Sequence, residues 1–165
     1  MAQQTHFGLF TVNADGQFIP ASVDAIIATA RTCLDSMFVR EAALGSPDAA
    51  KDYLSLKLGQ LEHEVFAVVF LDAQNRVIEC REMFRGTLTQ TSVYPREVVK
   101  ASLQLNAAAL ILAHNHPSGV AEPSRADEYL TQTLKTALGM IDVRVIDHMV
   151  VAGGRVVSFA ERGLL

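Results

Sequence analysis

The sequence predicts an α/β fold in which a mixed sheet is flanked by helices, and three features carry that reading. Two seven-residue apolar runs, Val65–Leu71 and 107–113, have the continuous hydrophobic character of strands buried on both faces. Around them lie segments whose apolar residues recur at helical spacing. Short polar turns join several neighbouring strand candidates, which favours antiparallel pairs within a mixed sheet.

The elements follow in order. FGLFTVNADGQFIPAS alternates around Asp15-Gly16, a dipeptide suited to positive φ, and reads as a short hairpin. Ser22 can cap the next segment, where Val23, Ile26, Ile27, Ala30, Cys33, Leu34 and Met37 form a helical stripe expected to pack on the sheet. Residues 40–45 read as a connection, and Ser46-Pro47 supplies an N-cap and a first-turn proline for a helix to about Leu61. VFAVVFLD ends in the turn residues Asp72, Gln74 and Asn75, and 76–84 returns beside it as a second strand. Pro95 starts a helix whose apolar stripe is Val98, Val99, Leu103 and Leu105, ending by Asn106. AAALILA then empties directly into HNHPSG, a buried strand meeting a loop. Ser124 opens a helix that Gly139 closes, and strands over 143–152 and 155–159 surround Gly153-Gly154.

At 165 residues, 50% hydrophobic and 19% charged, the chain has the size of one packed domain and is neither disordered nor collagen-like. No apolar run approaches the roughly 18 residues that span a bilayer. MAQQTHFGLF lacks a basic region ahead of an apolar stretch, so the expectation is a cytoplasmic protein with no membrane partner. A net charge of −4 provides no general attraction for phosphate backbones. Between 81 and 100, four cations set against Glu82 and Glu97 leave too small an excess to argue nucleic-acid binding. Cys33 and Cys80 have no CxxC or CxH neighbour and are expected to be buried thiols in a reducing compartment.

The chemistry concentrates after the second apolar run. In extended backbone, His114 and His116 point to the same face, so two imidazoles can converge on one ion. Asp127 falls in the first turn of the helix opened by Ser124, and Pro117, Gly119 and Pro123 let the intervening loop fold back. Two histidines and one carboxylate suit Zn²⁺ and leave its fourth position to water, the arrangement of a catalytic rather than a structural site. Taken singly, His-x-His is weak evidence and Ser124-x-x-Asp127 reads equally well as a helix cap. Their joint placement at the mouth of a sheet favours a site.

His114-x-His116, seven residues, then Ser124-x-x-Asp127 matches the His-x-His-x7-Ser-x-x-Asp signature of the JAMM metalloprotease motif. GTLTQTSVYPREVVKASLQLNAAALILAHNHPSG, EPSRAD and DHMVVAGGRVVSFAERGLL resemble the RadC branch of the JAB/MPN superfamily, and the resemblance covers 46–165. It implies a cytidine-deaminase-like fold with a largely antiparallel, curved sheet. Residues 1–45 would then be an N-terminal hairpin and helix packed on this core. The resemblance also implies one Zn²⁺ per chain held by His114, His116 and Asp127, with Ser124 helping to hold the bound water or the oxyanion. Glu64, directly before Val65-Phe66, occupies the place of the family's glutamate and would act as general base, with Glu62 as runner-up. Val120-Ala121 depart from the Asp or Asn and Pro that many members carry after HPSG, and residues 1–45 show no helix-hairpin-helix glycine pattern.

Two further places carry smaller expectations. Asp147-His148 could supply a hydrogen bond to a ligand histidine or form a satisfied core pair, and His63 could reach the cleft or stand exposed. Three functions follow. The first is a zinc-dependent hydrolase of peptide or isopeptide bonds, whose partner is its protein or peptide substrate. The second is a DNA-repair or DNA-processing accessory that meets DNA-associated proteins. The third is a binding module that has lost activity.

Overall fold

A computed structural model of the protein describes residues 8–38, 47–86 and 92–165. They fall into two compact units, Met1–Ser36 and Met37–Leu165. The connection expected over 40–45, the cap at Ser46 and the side chains of Leu34 and Met37 lie outside what is described.

In the first unit, β1 (Phe10–Val12) and β2 (Phe18–Pro20) pair antiparallel. The turn is held by the Asn13 side chain, whose Oδ1 accepts from the amides of Asp15 and Gln17 at 3.0 and 2.9 Å, while Gly16 takes a φ of +78°. Helix α1 (Val23–Phe38) follows, and the Ala25 amide donates to Ser22 Oγ at 3.2 Å, as an N-cap requires.

The second unit is built on a five-stranded sheet in the order β4-β3-β5-β6-β7. Its strands are β3 (Val65–Leu71), β4 (Val77–Arg85), β5 (Ala109–Asn115), β6 (Arg144–Ala152) and β7 (Arg155–Ser158). β3 and β5 stand at the centre, and every one of their residues is buried, which is why both read as unbroken apolar runs. Only β5 and β6 are parallel, because a helical crossover joins them; the remaining pairs are antiparallel. The mixed, mostly antiparallel sheet flanked by helices is therefore as expected.

Helices cover both faces of the sheet. Phe66, Val68, Phe70, Leu110 and Leu112 meet Val98 of α3 (Pro95–Gln104) and Leu134 and Leu138 of α4 (Arg125–Gly139) in one apolar core. On α3 the buried positions are Val98, Ala101 and Ser102, whereas Leu103 is 60% exposed; the stripe is shifted from the one expected, since Leu103 sits a third of a turn past Ser102. Helix α2 (Pro47–Leu58) packs across β5, β6 and β7, burying Ala50, Tyr53, Leu54 and Leu58. A single turn, α5 (Phe159–Arg162), closes the chain; four residues are too few to show a period, and the sequence gives no sign of it.

The thiols correct an expectation. Cys33 is exposed and Cys80 half-buried. Cys80 lies on β4, which among the described residues has a strand neighbour on one side only.

The end of α2 approaches the β6–β7 turn backbone to backbone. A Cβ at Gly59 would stand 2.3 Å from the Gly153 carbonyl oxygen and 2.5 Å from that of Ser55. Gly59→Ala is expected to lower stability by about 1–3 kcal/mol, read as a lower urea midpoint at unchanged slope. An unmoved midpoint would show that the two turns separate freely.

Candidate metal centre

β5 carries two imidazoles out of an apolar strand. In the antiparallel ladder His114 stands opposite Phe66 of β3, and the two rings stack at 6.4 Å. His114 is 2% exposed. His116 lies just past the strand, and its amide continues the ladder by donating to the Val151 carbonyl at 2.8 Å. Both rings therefore face the same side, with their Nε2 atoms 3.0 Å apart.

The third group comes from α4. Ser124 is its N-cap, and a reciprocal capping box forms: the Asp127 amide donates to Ser124 Oγ at 3.2 Å, and the Ser124 amide donates to Asp127 Oδ2 at 2.7 Å. The Ser124 hydroxyl also donates to Oδ2 at 2.7 Å. The cap and the candidate ligand are one arrangement, since these bonds aim the carboxylate at the histidines. Oδ1 stands 3.4 Å from His114 Nε2, and Oδ2 stands 3.7 Å from His116 Nε2. Burial by itself would raise the Asp127 pKa, but the contact with His114 and the bonds from Ser124 outweigh it and hold the carboxyl well below the usual range.

One donor atom from each of His114, His116 and Asp127 lies within 4.8 Å of the others, and together they could hold a metal ion. The hydrogen bonding of His116 fits such an ion. Its Nδ1 is 2.7 Å from the Val120 carbonyl oxygen, which can only accept, so Nδ1 carries a proton and Nε2 is the nitrogen left to face an ion. Val120 contributes through its main chain, so a departure from the family pattern in its side chain does not touch this contact. Two imidazoles and one carboxylate are ligands of the zinc class.

Glu64 precedes β3 and is half-buried. Its backbone is held on both sides: the Gly86 amide donates to its carbonyl at 2.8 Å, and the Asn115 side chain grips the residues next to it. Asn115 Oδ1 accepts from the Val65 amide at 2.8 Å, and its Nδ2 donates to the His63 carbonyl at 3.0 Å and to that of Leu61 at 3.3 Å. Glu64 is two residues before Phe66, as His116 is two residues beyond Phe66's partner His114, so both sit at the same end of the sheet. Glu62 is exposed one bend earlier. His63 turns to Arg85, with Nδ1 at 3.4 Å from a guanidinium nitrogen, and is not brought into the ligand group.

Of the two readings kept for Asp147-His148, each residue takes one. A bulge in the β5–β6 register between Leu110 and Ile111 puts His148 on the side of His114, while Asp147 points away from it. His148 Nε2 lies 2.8 Å from His114 Nδ1, and its Nδ1 lies 2.6 Å from Thr131 Oγ1. Complete burial, and then the nearby His114, push its pKa well below the usual imidazole range. Asp147 instead accepts from Ser158 Oγ at 2.6 Å and from the Ala160 amide at 3.0 Å, and so helps to cap α5. Asn115 and Thr131 were not singled out from the sequence; an Asn between two histidines and a Thr inside a helix carry no local signal of their partners.

Comparison with known proteins fits this geometry. A family model described as "RadC-like JAB domain" matches residues 44–164. The chain is similar to a UPF0758 protein of Leptothrix cholodnii, 63% identical over 158 residues, which is 96% of this chain and 71% of that one. A UPF0758 protein of Methylibium petroleiphilum is 64% identical over 145 residues, covering 88% of this chain and 65% of the other. One of Dechloromonas aromatica is 54% identical over 158 residues, covering 95% and 70%. The chain thus spans about two thirds of the length of these relatives, whose names state no activity.

Because Ser124 holds both a helix end and a candidate ligand, Ser124→Ala is expected to cost about 1 kcal/mol of stability and to weaken any binding of a divalent ion, with Zn²⁺ as the probe, about tenfold or more. Thermal unfolding and titration against a chromophoric chelator read the two effects. Loss of stability with unchanged affinity would show that Ser124 serves the helix alone.

Proposed function

Because the chain belongs to the RadC-like JAB domain family, we propose that it is a zinc-dependent hydrolase that cleaves peptide or isopeptide bonds with a metal-activated water. The JAB/MPN family includes metalloproteases. The observation that carries the reading is the convergence of three possible donors, two imidazole Nε2 atoms at the end of a central strand and a carboxylate from the first turn of α4. One ion per chain fits this set.

A zinc-type ion bound there supplies Lewis acidity, which makes water nucleophilic near neutral pH and polarises a carbonyl. With a divalent ion held by His114, His116 and Asp127, the site would carry a formal charge near +1 and would favour a developing oxyanion over a neutral carbonyl. Glu64 takes a proton from the attacking water on a carboxylate oxygen as the new C–O bond forms, and returns it to the amine nitrogen as the C–N bond breaks. Clamping of Leu61, His63 and Val65 by Asn115 keeps Glu64 in register with β5 while it does so. Ser124 steadies Asp127 and reaches a substrate oxygen only by giving up its own bond to Oδ2. An open cleft of about 510 Å³ between 119–122 and β7 shares Val120 with the metal centre and offers room for an extended peptide beside it.

Glu64→Gln tests the mechanism, because the amide keeps the shape and loses the basic oxygen. Metal content is expected to be unchanged and cleavage of a peptide library to fall by about 10²–10⁴-fold. Full activity in this variant would remove Glu64 from the mechanism. A wild-type, zinc-loaded chain that cleaves neither peptide nor isopeptide substrates would remove the hydrolase reading and leave the binding and DNA-associated roles.

A further inference from the structure

Behind the ligands runs a chain of hydrogen bonds whose direction can be read from one end. Thr131 Oγ1 lies 2.6 Å from the main-chain carbonyl oxygen of Asp127 and 2.6 Å from His148 Nδ1. A carbonyl oxygen only accepts, so the single hydroxyl hydrogen of Thr131 goes to Asp127. The same i−4 bond is made elsewhere on α4 by Thr133 to Tyr129 and by Thr136 to Gln132, so the helix itself sets this direction. What sets Thr131 apart is its second contact. With its hydrogen committed, Thr131 can only accept from His148, and the hydrogen of that bond sits on His148 Nδ1.

His148 is 0% exposed, with the rings of Phe66 and Phe159 at 5.7 and 4.7 Å. A second proton on this ring would be a cation out of reach of water, so Nε2 carries a lone pair. That lone pair faces His114 Nδ1 at 2.8 Å, where only an N–H makes the contact favourable. That leaves Nε2 of His114, turned toward His116 and Asp127, as the nitrogen that an ion can take.

We propose that Thr131 and His148 are positioning residues that set the tautomer of His114, so that its Nε2 is always the metal-binding atom. The inference rests on the metal-site reading above and goes beyond it. The relay closes on the residue where it began, because Asp127 contributes its carboxylate to the ligand set and its backbone carbonyl to the far end of the chain. β5, β6 and α4 must therefore all be in register before the three ligands are ready. The second ligand, His116, reaches the same tautomer independently through the Val120 carbonyl.

The test begins with NMR of the metal-free full chain carrying ¹⁵N-labelled histidine. His148 is expected in the Nδ1–H form at neutral pH, whatever the charge on His114. A His148 with its proton on Nε2 would overturn the proposal, and this measurement needs no variant to fold. Thr131→Val, which removes the hydroxyl at nearly constant shape, is expected to abolish that preference and to weaken Zn²⁺ binding by about 10–100-fold, with Thr131→Ser restoring both. Zn²⁺ affinity and His148 tautomer both unchanged in a folded Thr131→Val chain would equally overturn it. If the wild type binds no Zn²⁺, the metal-site reading fails, and the ¹⁵N spectrum alone still decides whether the relay exists.

Discussion

His114 is an imidazole buried to 2% exposure at the end of a strand whose preceding residues are all apolar, and the surrounding structure turns a polar group to each of its two nitrogens. An unpaired polar group in such a place costs several kcal/mol on the scale of small-molecule transfer, about 2–7. Nδ1 meets His148, and Nε2 meets His116 and Asp127. Each of these partners is held in turn: His148 by Thr131, His116 by the Val120 carbonyl, and Asp127 by Ser124. The sheet brings β6 alongside β5, the crossover helix α4 packs on β6 and delivers Asp127 to the end of β5, and the candidate site lies where these three meet. Strand order and crossover are thus conditions of the proposed chemistry, and a lost strand register would separate the candidate ligands.

Asp127 shows how one residue can serve folding and function together. Its carboxylate accepts from the Ser124 amide at the positive end of α4, a stabilising place for an anion. The same carboxylate is a ligand candidate with a second oxygen turned to His114. Capping holds it as an anion and removes much of its rotational freedom, so less order has to be imposed when an ion binds. Reading Ser124-x-x-Asp127 as a cap and reading it as part of a metal motif are therefore compatible.

Much of this was accessible from the sequence where the information is local. β3 and β5 announce themselves because central strands are apolar on both sides, and His-x-His followed by a capped Asp needs only strand alternation and one helix turn to be recognised. What escaped depends on distant pairs. Thr131 reaches His148 across 17 residues and Asn115 reaches Val65 across 50, while the bond from His148 to His114, one of two readings open in the sequence, needed the fold to choose it. The bulge on β6 also breaks the alternation from which the faces of Asp147 and His148 would be assigned. Cys80 escaped for a different reason: the burial of a small apolar thiol depends on whether its strand is central or at an edge, and spacing does not encode strand order.

The central claim is that His114, His116 and Asp127 together hold one metal ion. It is tested most directly by mass-spectrometric metal analysis of the protein purified without added zinc, with His116→Ala and Asp127→Ala prepared alongside. The expected result is about one zinc per wild-type chain and far less in both variants, since each loses one of three protein ligands. A wild-type chain that carries no metal and takes up none from added Zn²⁺, or variants that retain it in full, would contradict the account.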